Sequence, residues 1–360
     1  MGSRITRDVC GATITPMKIA VVASLVTPLR AAPEGGAQTF LTTLASRLQD
    51  RGHQVTIYCS EGSELAGVDA AMFAPPPDVE RALMRAIGEP ATGVPGLREA
   101  FARVFAAVAE NGSEAVSQHA FDAEAIELAE HLPVLHTLHM PPLPGPVAVA
   151  VRRSRARFVA VSDAMGAAWR AAGARDVIVI RNGVVDFAVP DGPVEPIAVV
   201  AGRVSPEKGT AVALRVARAA ELEPVLVGHV YDHDYHAREV GLPTHPVPQR
   251  ELWDLMARAA VTLVPVAWEE PFGLVAAESQ LAGCPVVGYR RGGLPEVVEE
   301  GVGGFLVDPD DESALVAATR SAVRLDRARV RDSARQRLLL DGTVVAYERA
   351  LQALAREQRQ

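Results

Sequence analysis

The chain reads as an α/β protein of two doubly wound halves, each a parallel sheet covered by helices. Three observations predict this. The apolar runs 19–23 and 197–201 are each followed by a glycine-bearing loop, a helical stretch and another apolar run, the order of a strand–helix–strand unit. A length of 360 residues exceeds what one ordinary hydrophobic core serves. Residues 184–196 carry Pro190, Gly192, Pro193 and Pro196 with little periodicity, which marks a linker between halves of similar size.

In the first half, residues 1–16 are polar and patternless, and Met17-Lys18-Ile19 makes a more natural beginning, so the first sixteen are expected to be a disordered extension or an upstream start. Strand 19–23 is followed by a loop with Pro28 and Pro33 that reaches Gly35, Gly36, Ala37 and Gln38. The next helix places Phe40, Leu41, Leu44 and Leu48 on one face and is closed by Gly52. Strand 53–59 completes a βαβ unit, whose glycine loop faces ligands at the carboxyl edge of the sheet. That loop lacks the G-x-G-x-x-G spacing of a dinucleotide site, and a glycine pair by itself is often only a turn.

Strand 71–74 comes next, then helices over 78–88 and 97–110, parted by Pro90, Gly93, Pro95 and Gly96. Strand 115–118 runs into His119, and helix 122–131 and strand 134–139 follow. A histidine at a strand end is either a hydrogen-bonded structural residue or a functional one, and His119, His136 and His139 are open to both readings. His139 precedes the rigid loop Met140-Pro141-Pro142-Leu143-Pro144. Arg152, Arg153, Arg155 and Arg157 cluster before strand 158–161; a solvated face is favoured there over a seat for an anionic acceptor or lipid head groups. Ser162 caps a helix over 163–173, which leads to strand 177–180 and the turn Asn182-Gly183.

The second half opens with strand 197–201 and the loop Gly202-Arg203-Val204-Ser205-Pro206-Glu207-Lys208-Gly209. Ser205 and Pro206 form a helix cap and first-turn pair, which sets Arg203 and Lys208 at the carboxyl edge of a parallel sheet. Two cations on such a loop are either a clamp for a diphosphate or plain surface charges. Strand 224–227 follows; the His- and Asp-rich stretch 229–236 lacks a regular ligand pattern such as H-E-x-x-H and reads as a loop. After helix 250–259 and strand 261–266 comes Glu269-Glu270-Pro271-Phe272-Gly273-Leu274-Val275, opening a helix that ends near Gly283.

Pro271 suits a first helical turn, and the amides of Phe272, Gly273 and Leu274 are then free donors at the positive end of a helix, where a phosphate binds. Glu270 and Glu278 on one helix stand roughly 12 Å apart along its axis, too far to share a proton or a metal but suited to two ends of one long ligand. The competing reading makes Glu278 a satisfied buried carboxylate. Strand 285–287, the glycine turn 290–296, strand 304–307 and helices over 311–323, 326–339 and 343–357 complete the chain.

Composition narrows the function classes. A net charge of −8 offers no platform for nucleic acid. No apolar run reaches membrane-spanning length, and no hydrophobic segment follows the N-terminus as a signal peptide would. Cys10, Cys59 and Cys284 are far apart and lack metal spacing, which suits a reducing cytoplasm. Of 36 Lys plus Arg only Lys18 and Lys208 are lysine, so position 208 calls either for a compact ammonium or for nothing in particular.

Taken together the motifs carry a family resemblance. Gly35-Gly36 before a helix, Arg51-Gly52-His53-Gln54-Val55-Thr56, Val161-Ser162, Asn182-Gly183-Val184, Gly202-Arg203 with Lys208-Gly209, Glu270-Pro271-Phe272-Gly273 with Glu278, Ala282-Gly283-Cys284-Pro285 and Gly292-Gly293-Leu294-Pro295-Glu296 stand in characteristic order and spacing. The chain resembles the retaining family-4 glycosyltransferases of the GT-B superfamily, which includes glycogen and sucrose-phosphate synthases and bacterial phosphatidylinositol and inositol sugar transferases. The resemblance spans Met17 to about Tyr347.

It implies the GT-B fold, two Rossmann-like doubly wound domains facing a central cleft. The expected division is an acceptor-binding domain over 17–190, a nucleotide-sugar domain over 191–342 and a crossover helix over 343–360 returning to the first. Carried onto these residues, it implies that Glu278 binds the ribose and Glu270 the transferred sugar. The amides of Phe272, Gly273, Leu274 and Val275 meet sugar and diphosphate, and Gly35 and Gly36 approach the diphosphate from the first domain. Arg203 and Lys208 neutralise the leaving phosphate without a metal or other cofactor, and His119 stands near the transferred sugar as a further catalytic residue. His139 and Gln38 are assigned to the acceptor side.

The implied reaction moves a hexose-type sugar from a nucleotide-diphosphate donor, UDP favoured over GDP, to a small-molecule or glycoconjugate hydroxyl. An epimerase or phosphorylase on the same fold, or a non-catalytic nucleotide-sugar-binding subunit, is the alternative. Asn182-Gly183-Val184-Val185-Asp186 carries one residue more than the usual Asn-Gly-Val-Asp, and Asp186 is given no role. Peripheral contact with a membrane is not favoured, for lack of a marked amphipathic helix, and the oligomeric state is open.

Overall fold

A computed structural model describes residues 15–30, 36–77 and 94–359. The chain divides into two compact units. One comprises the described residues up to Val161, Gly166–Ile180 and those from Val344 on; the other comprises Ser162–Met165 and Arg181–Thr343. The expected 1–16 extension falls almost wholly outside the described residues, as do the helix over 78–88 and Gly35.

The first unit is built on a seven-stranded sheet in the order β3-β2-β1-β4-β5-β6-β7. Its strands are β1 (Lys18–Val22), β2 (Gln54–Ser60), β3 (Asp69–Phe73), β4 (Ala115–Gln118), β5 (Val134–Leu138), β6 (Arg157–Ala160) and β7 (Asp176–Val179). Every neighbouring pair is parallel. A parallel sheet is covered on both faces, which is why the central strands read as unbroken apolar runs. Helix Leu97–Glu110 buries Phe101, Val104, Phe105 and Val108 against one face, in a cluster with Val22, Val116 and Val134. Helix Gly36–Asp50 buries Phe40, Leu41, Leu44 and Leu48, the stripe its sequence predicts. The order reverses at β1, which lies between β2 and β4.

The second unit holds a five-stranded parallel sheet in the order β12-β11-β10-β8-β9. Its strands are β8 (Glu195–Ala201), β9 (Glu223–Val227), β10 (Ala259–Val264), β11 (Val286–Tyr289) and β12 (Gly304–Val307). Here β8 lies between β9 and β10, so connections leave this pair toward opposite sides. The loops after β8 and β10 therefore emerge side by side at the carboxyl edge, where open α/β sheets bind ligands.

The compact units divide at Ile180/Arg181, ten residues ahead of the linker position at 190. The stretch in between is tied to the second unit. Val184 pairs with Leu339, and Asp186 holds Arg331 at 3.4 Å and Arg335 at 2.6 Å. Asp186, given no role from sequence, anchors this segment. Two further differences concern local structure. The Pro-rich loop is followed by a helix, Pro146–Arg153, that the sequence reading missed, and its basic end supplies Arg152 and Arg153. The stretch read as a loop over 229–236 contains the short helix His233–Tyr235, capped by the Asp232 carboxylate, and leads into a wide helical turn His236–Val240. Among the described residues no helix is long and apolar enough to cross a membrane.

Candidate donor site in the second unit

The loop after β8 is fixed by a close approach. Gly209 has φ 67°, and a Cβ there would stand 1.9 Å from the carbonyl oxygen of Pro265, just beyond β10. Only glycine fits. Its neighbour Lys208 is thereby held against the loop that follows β10. A second tie joins the two loops, since Ala267 N donates to Glu207 O at 2.8 Å.

The side chains follow this frame. Lys208 Nζ lies 2.7 Å from Glu270 Oε2, and Trp268 Nε1 donates to the same oxygen at 2.8 Å. The ammonium also lies 4.7 Å from the centroid of the Trp268 ring. Arg203 lies 5.0 Å from the centroid of Tyr231 and 3.6 Å from Glu207, which also accepts from Ser205 Oγ at 2.6 Å. Both sequence-predicted cations are thus oriented by aromatic faces and carboxylates.

Glu270 owes its place to a distant segment. Gly292 has φ 56°, and a Cβ on it would meet Glu270 O at 2.2 Å. Gly293 N donates to Glu270 O at 2.7 Å, and Gly292 N to the Glu269 carboxylate at 2.9 Å. The Gly292-Gly293-Leu294-Pro295-Glu296 turn is therefore the floor on which residues 269–272 rest.

The helix after this loop is Leu274–Leu281, with Gly273 at its N-cap, φ 99°. This corrects two expectations. Pro271 lies ahead of the helix rather than in its first turn, and so does Phe272; both are buried. Glu270 and Glu278 are not on one helix, so the 12 Å axial spacing expected between them does not apply. The reason is the glycine floor, which holds residues 269–272 as an irregular segment. What remains is the donor row: Gly273 O accepts from Ala277 N, so the amides of Leu274, Val275 and Ala276 have no acceptor within the helix.

Glu278 is 7 % exposed and carries a carboxyl pushed up to about 7 by burial, opposed by the neighbouring Gln249 amide. Gln249 stands at the start of helix Gln249–Arg258 and was not singled out from sequence. A raised carboxyl value stabilises the fold below the ordinary range near 4.5 and costs stability as pH climbs to about 7. Glu278→Gln is therefore expected to melt higher than the parent at pH 8, by roughly 2–4 °C per kcal/mol regained, with the gain vanishing at pH 4. Differential scanning calorimetry at the two pH values checks it.

The first-unit candidates form a separate cluster around β4 and β5. His119, 5 % exposed, engages Ser117 Oγ through Nε2 at 2.9 Å and His139 Nε2 through Nδ1 at 3.0 Å. Both ring nitrogens are occupied, so a ligand would have to displace Ser117 or His139. Burial, then the facing His139, holds the His119 imidazole well below its usual value; burial alone takes His139 to about 4. Both are neutral near pH 7. Phe40 packs against both rings, and Tyr347 against His119. His136 is buried with its ring stacked on Phe158, neither ring nitrogen has a hydrogen-bond partner, and burial lowers it to about 3. Gln38 holds a buried Oε1 with no hydrogen-bond partner, and Gly36 is the exposed first residue of its helix.

Among the described residues no group of three or more His, Cys, Asp or Glu is placed to hold a metal ion. Sequence reasoning missed Trp268, Glu207, Tyr231 and Gln249. Trp268 alone carried a signal, being one of 3 tryptophans and two residues from Glu270.

Residues 34–186 match the family described as Glycosyltransferase Family 4, and residues 190–337 that described as Glycosyl transferases group 1. A D-inositol 3-phosphate glycosyltransferase of Thermobifida fusca (strain YX) is 52 % identical over 66 residues, 18 % of this chain and 15 % of that protein. A second, from Thermomonospora curvata, is 40 % identical over 106 residues, 29 % of this chain and 22 % of that protein. The matched segments thus span less than a quarter of these relatives. Among solved structures, Anabaena Alr3699/HepE in complex with UDP and glucose superposes with a TM-score of 0.71 at 20 % identity, covering 94 % of this chain and 100 % of that one. Sucrose-phosphate synthase from Thermosynechococcus elongatus gives 0.72 at 18 % identity, covering 94 % and 99 %. With both family matches in the expected order, a parallel sheet in each unit and the glycine-braced loops at the carboxyl edge of the second, the chain belongs to the family-4 glycosyltransferases of the GT-B fold.

Proposed function

We propose that this protein is a retaining, metal-independent hexosyltransferase that takes its sugar from a nucleotide-diphosphate donor, UDP favoured over GDP, and passes it to the hydroxyl of a small-molecule or glycoconjugate acceptor. The observation that carries the reading is the Lys208–Glu270 pair, 2.7 Å, beside a helix whose first amides lack intrahelical partners. An ammonium has three N–H donors, so Lys208 keeps two for phosphate oxygens while one holds Glu270. The helix amides and the Arg203 guanidinium add fixed positive character. Glu270 presents its second oxygen to a sugar hydroxyl, and buried Glu278 accepts from ribose hydroxyls.

The chemistry follows from charge. As the bond from anomeric carbon to phosphate oxygen breaks, the electron pair leaves with the diphosphate and positive character grows on the ring. Lys208, Arg203 and the helix amides oppose the negative charge where it develops, without reorganising during the step. The acceptor oxygen attacks from the face the phosphate is leaving, and a departing phosphate oxygen takes its proton. A double displacement would need two carboxylates about 5 Å apart, flanking the scissile bond. Glu270, bound on one oxygen by Lys208 and Trp268, serves instead as a hydroxyl acceptor. The likeness to Anabaena Alr3699/HepE in complex with UDP and glucose supports the donor class.

A thermal-shift screen with UDP, GDP, ADP and their glucose conjugates tests the donor. A ligand at 100 times its dissociation constant adds about 2.7 kcal/mol, so one nucleotide is expected to raise the melting temperature clearly and the others not. No shift with any of them would sink the proposal. With the donor known, the anomeric configuration of the product, read by NMR, tests retention.

A further inference from the structure

We infer that Trp268 is a positioning residue for the donor site: its indole N–H and the Lys208 ammonium share one oxygen of Glu270, leaving the other oxygen to the ligand. The inference rests on the reading of Lys208 and Glu270 as donor-binding groups and adds to it a residue that no motif names. The geometry has three parts. Trp268 Nε1 donates to Glu270 Oε2 at 2.8 Å, Lys208 Nζ approaches the same atom at 2.7 Å, and the ammonium stands 4.7 Å from the indole centroid. The Ala267–Glu207 backbone bond fixes the segment just before Trp268 against the segment just before Lys208.

These contacts do more than fill space. A carboxylate on a loop can rotate about its terminal torsion, and two donors converging on Oε2 stop that rotation. The indole face meanwhile gives the ammonium a seat that a diphosphate need not displace. When phosphate oxygens draw on Lys208, the N–H of Trp268 still holds Glu270 in place. Trp268 thus keeps the sugar-binding carboxylate oriented while the cation changes partners. It touches neither the reacting carbon nor the leaving oxygen, so its effect is on alignment.

The test is Trp268→Phe, which keeps an aromatic face for Lys208 but has no N–H. The melting temperature is expected to stay close to the parent's, while kcat falls roughly ten- to a hundred-fold, the size of a lost bond to a charged group. The donor KM is expected to change by less than about three-fold, because diphosphate and ribose contacts are intact. Trp268→Leu, lacking the face as well, is expected to lose more and to raise KM.

Tryptophan emission supplies a second readout, since Trp169 and Trp253 are the only other indoles. Saturating UDP, with GDP and ADP in parallel, is expected to change the parent's emission and to leave that of Trp268→Phe unchanged. Parental kcat and KM in Trp268→Phe, with Lys208→Ala and Glu270→Ala inactive, would overturn the positioning role and leave the donor site standing. Full activity in those two alanine variants would remove the donor site and the inference with it. Should Trp268→Phe melt well below the parent, the parent's emission decides: a change with one nucleotide supports the role, and no change with any of them overturns it.

Discussion

Lys208→Ala is expected to lower kcat by about 10²- to 10³-fold or more with the fold intact. The size follows from what the ammonium is placed to do. It is the one lysine of the second unit, held 2.7 Å from Glu270 and seated over Trp268, on a loop that Gly209 presses against Pro265. Its removal takes away one of the two groups that orient Glu270 and, on the proposed reading, the preorganised charge that meets the leaving phosphate. Lys208→Arg is not expected to rescue, because a planar guanidinium needs more room than the pocket between Trp268 and Glu270 gives a point charge. Glu270→Ala is expected to lose comparable activity but through the sugar, so its nucleotide affinity should stay near the parent's. Single-turnover kinetics with calorimetric binding of the nucleoside diphosphate separate the two. Full turnover in both variants removes the transferase reading.

The loops that carry this site are legible in the sequence, and the reason is local chemistry. Arg203, Lys208, Glu270 and Glu278 fall at the ends of apolar runs, and a parallel sheet delivers strand ends to one edge. Strand order then brings the loops after β8 and β10 together, which no single stretch of sequence states. The misreadings arose where distant residues decide local shape. Pro271 looks like a first-turn proline, and its three following residues like helix, until Gly292 and Gly293 pack beneath residues 269–272 and delay the helix to Leu274.

The missed helix Pro146–Arg153 is short and follows a run of prolines, so its period had too few turns to register. His119 shows the same limit from another side. The sequence marks a histidine at a strand end but not that His139, twenty residues on, would occupy its Nδ1. Asp186 was set aside for breaking a motif, whereas its partners Arg331 and Arg335 lie about 145 residues away on helix Arg327–Arg337. Glu278 is the clearest case of a cost that only burial reveals. A carboxylate 7 % exposed, its burial opposed by one amide, weakens the fold as pH rises to about 7 and beyond.

Glu348→Ala is expected to give the largest loss of stability, about 3 kcal/mol at pH 7, from the first unit. Helix Leu340–Glu357 runs along that unit with Val344, Tyr347, Glu348, Leu351 and Ala355 buried, a 3.6-residue stripe in which one member is charged. The charge is satisfied by the Arg51-Gly52-His53 turn. Arg51 Nη2 lies 2.7 Å from Glu348 Oε2, and His53 Nε2 2.7 Å from Oε1, while His53 Nδ1 accepts from Met17 N. Tyr347 adds a bond to Thr137 at 3.0 Å and packs on Phe40. Truncating Glu348 takes away the carboxylate that Arg51 and the buried His53 share, which is why removal costs more than the pair is worth.

The pH dependence has a definite sign. Burial alone would raise the Glu348 carboxyl, but hydrogen bonds from Arg51 and His53 outweigh it and hold the group below its usual value. A depressed carboxyl contributes stability that is whole above the unfolded value, near 4.3, and is lost as pH falls through the lower folded value. The gap between parent and Glu348→Ala is therefore expected to be full at pH 7 and to narrow below about pH 4. Urea unfolding at both pH values measures it, and limited proteolysis should cut the variant first within residues 344–359. Glu348→Gln, which keeps two polar atoms facing Arg51 and His53, is expected to lose less at pH 7 and to show almost no narrowing. An Ala variant as stable as the parent at pH 7 would mean that apolar packing by Tyr347 and Leu351 holds this helix without the ion pair.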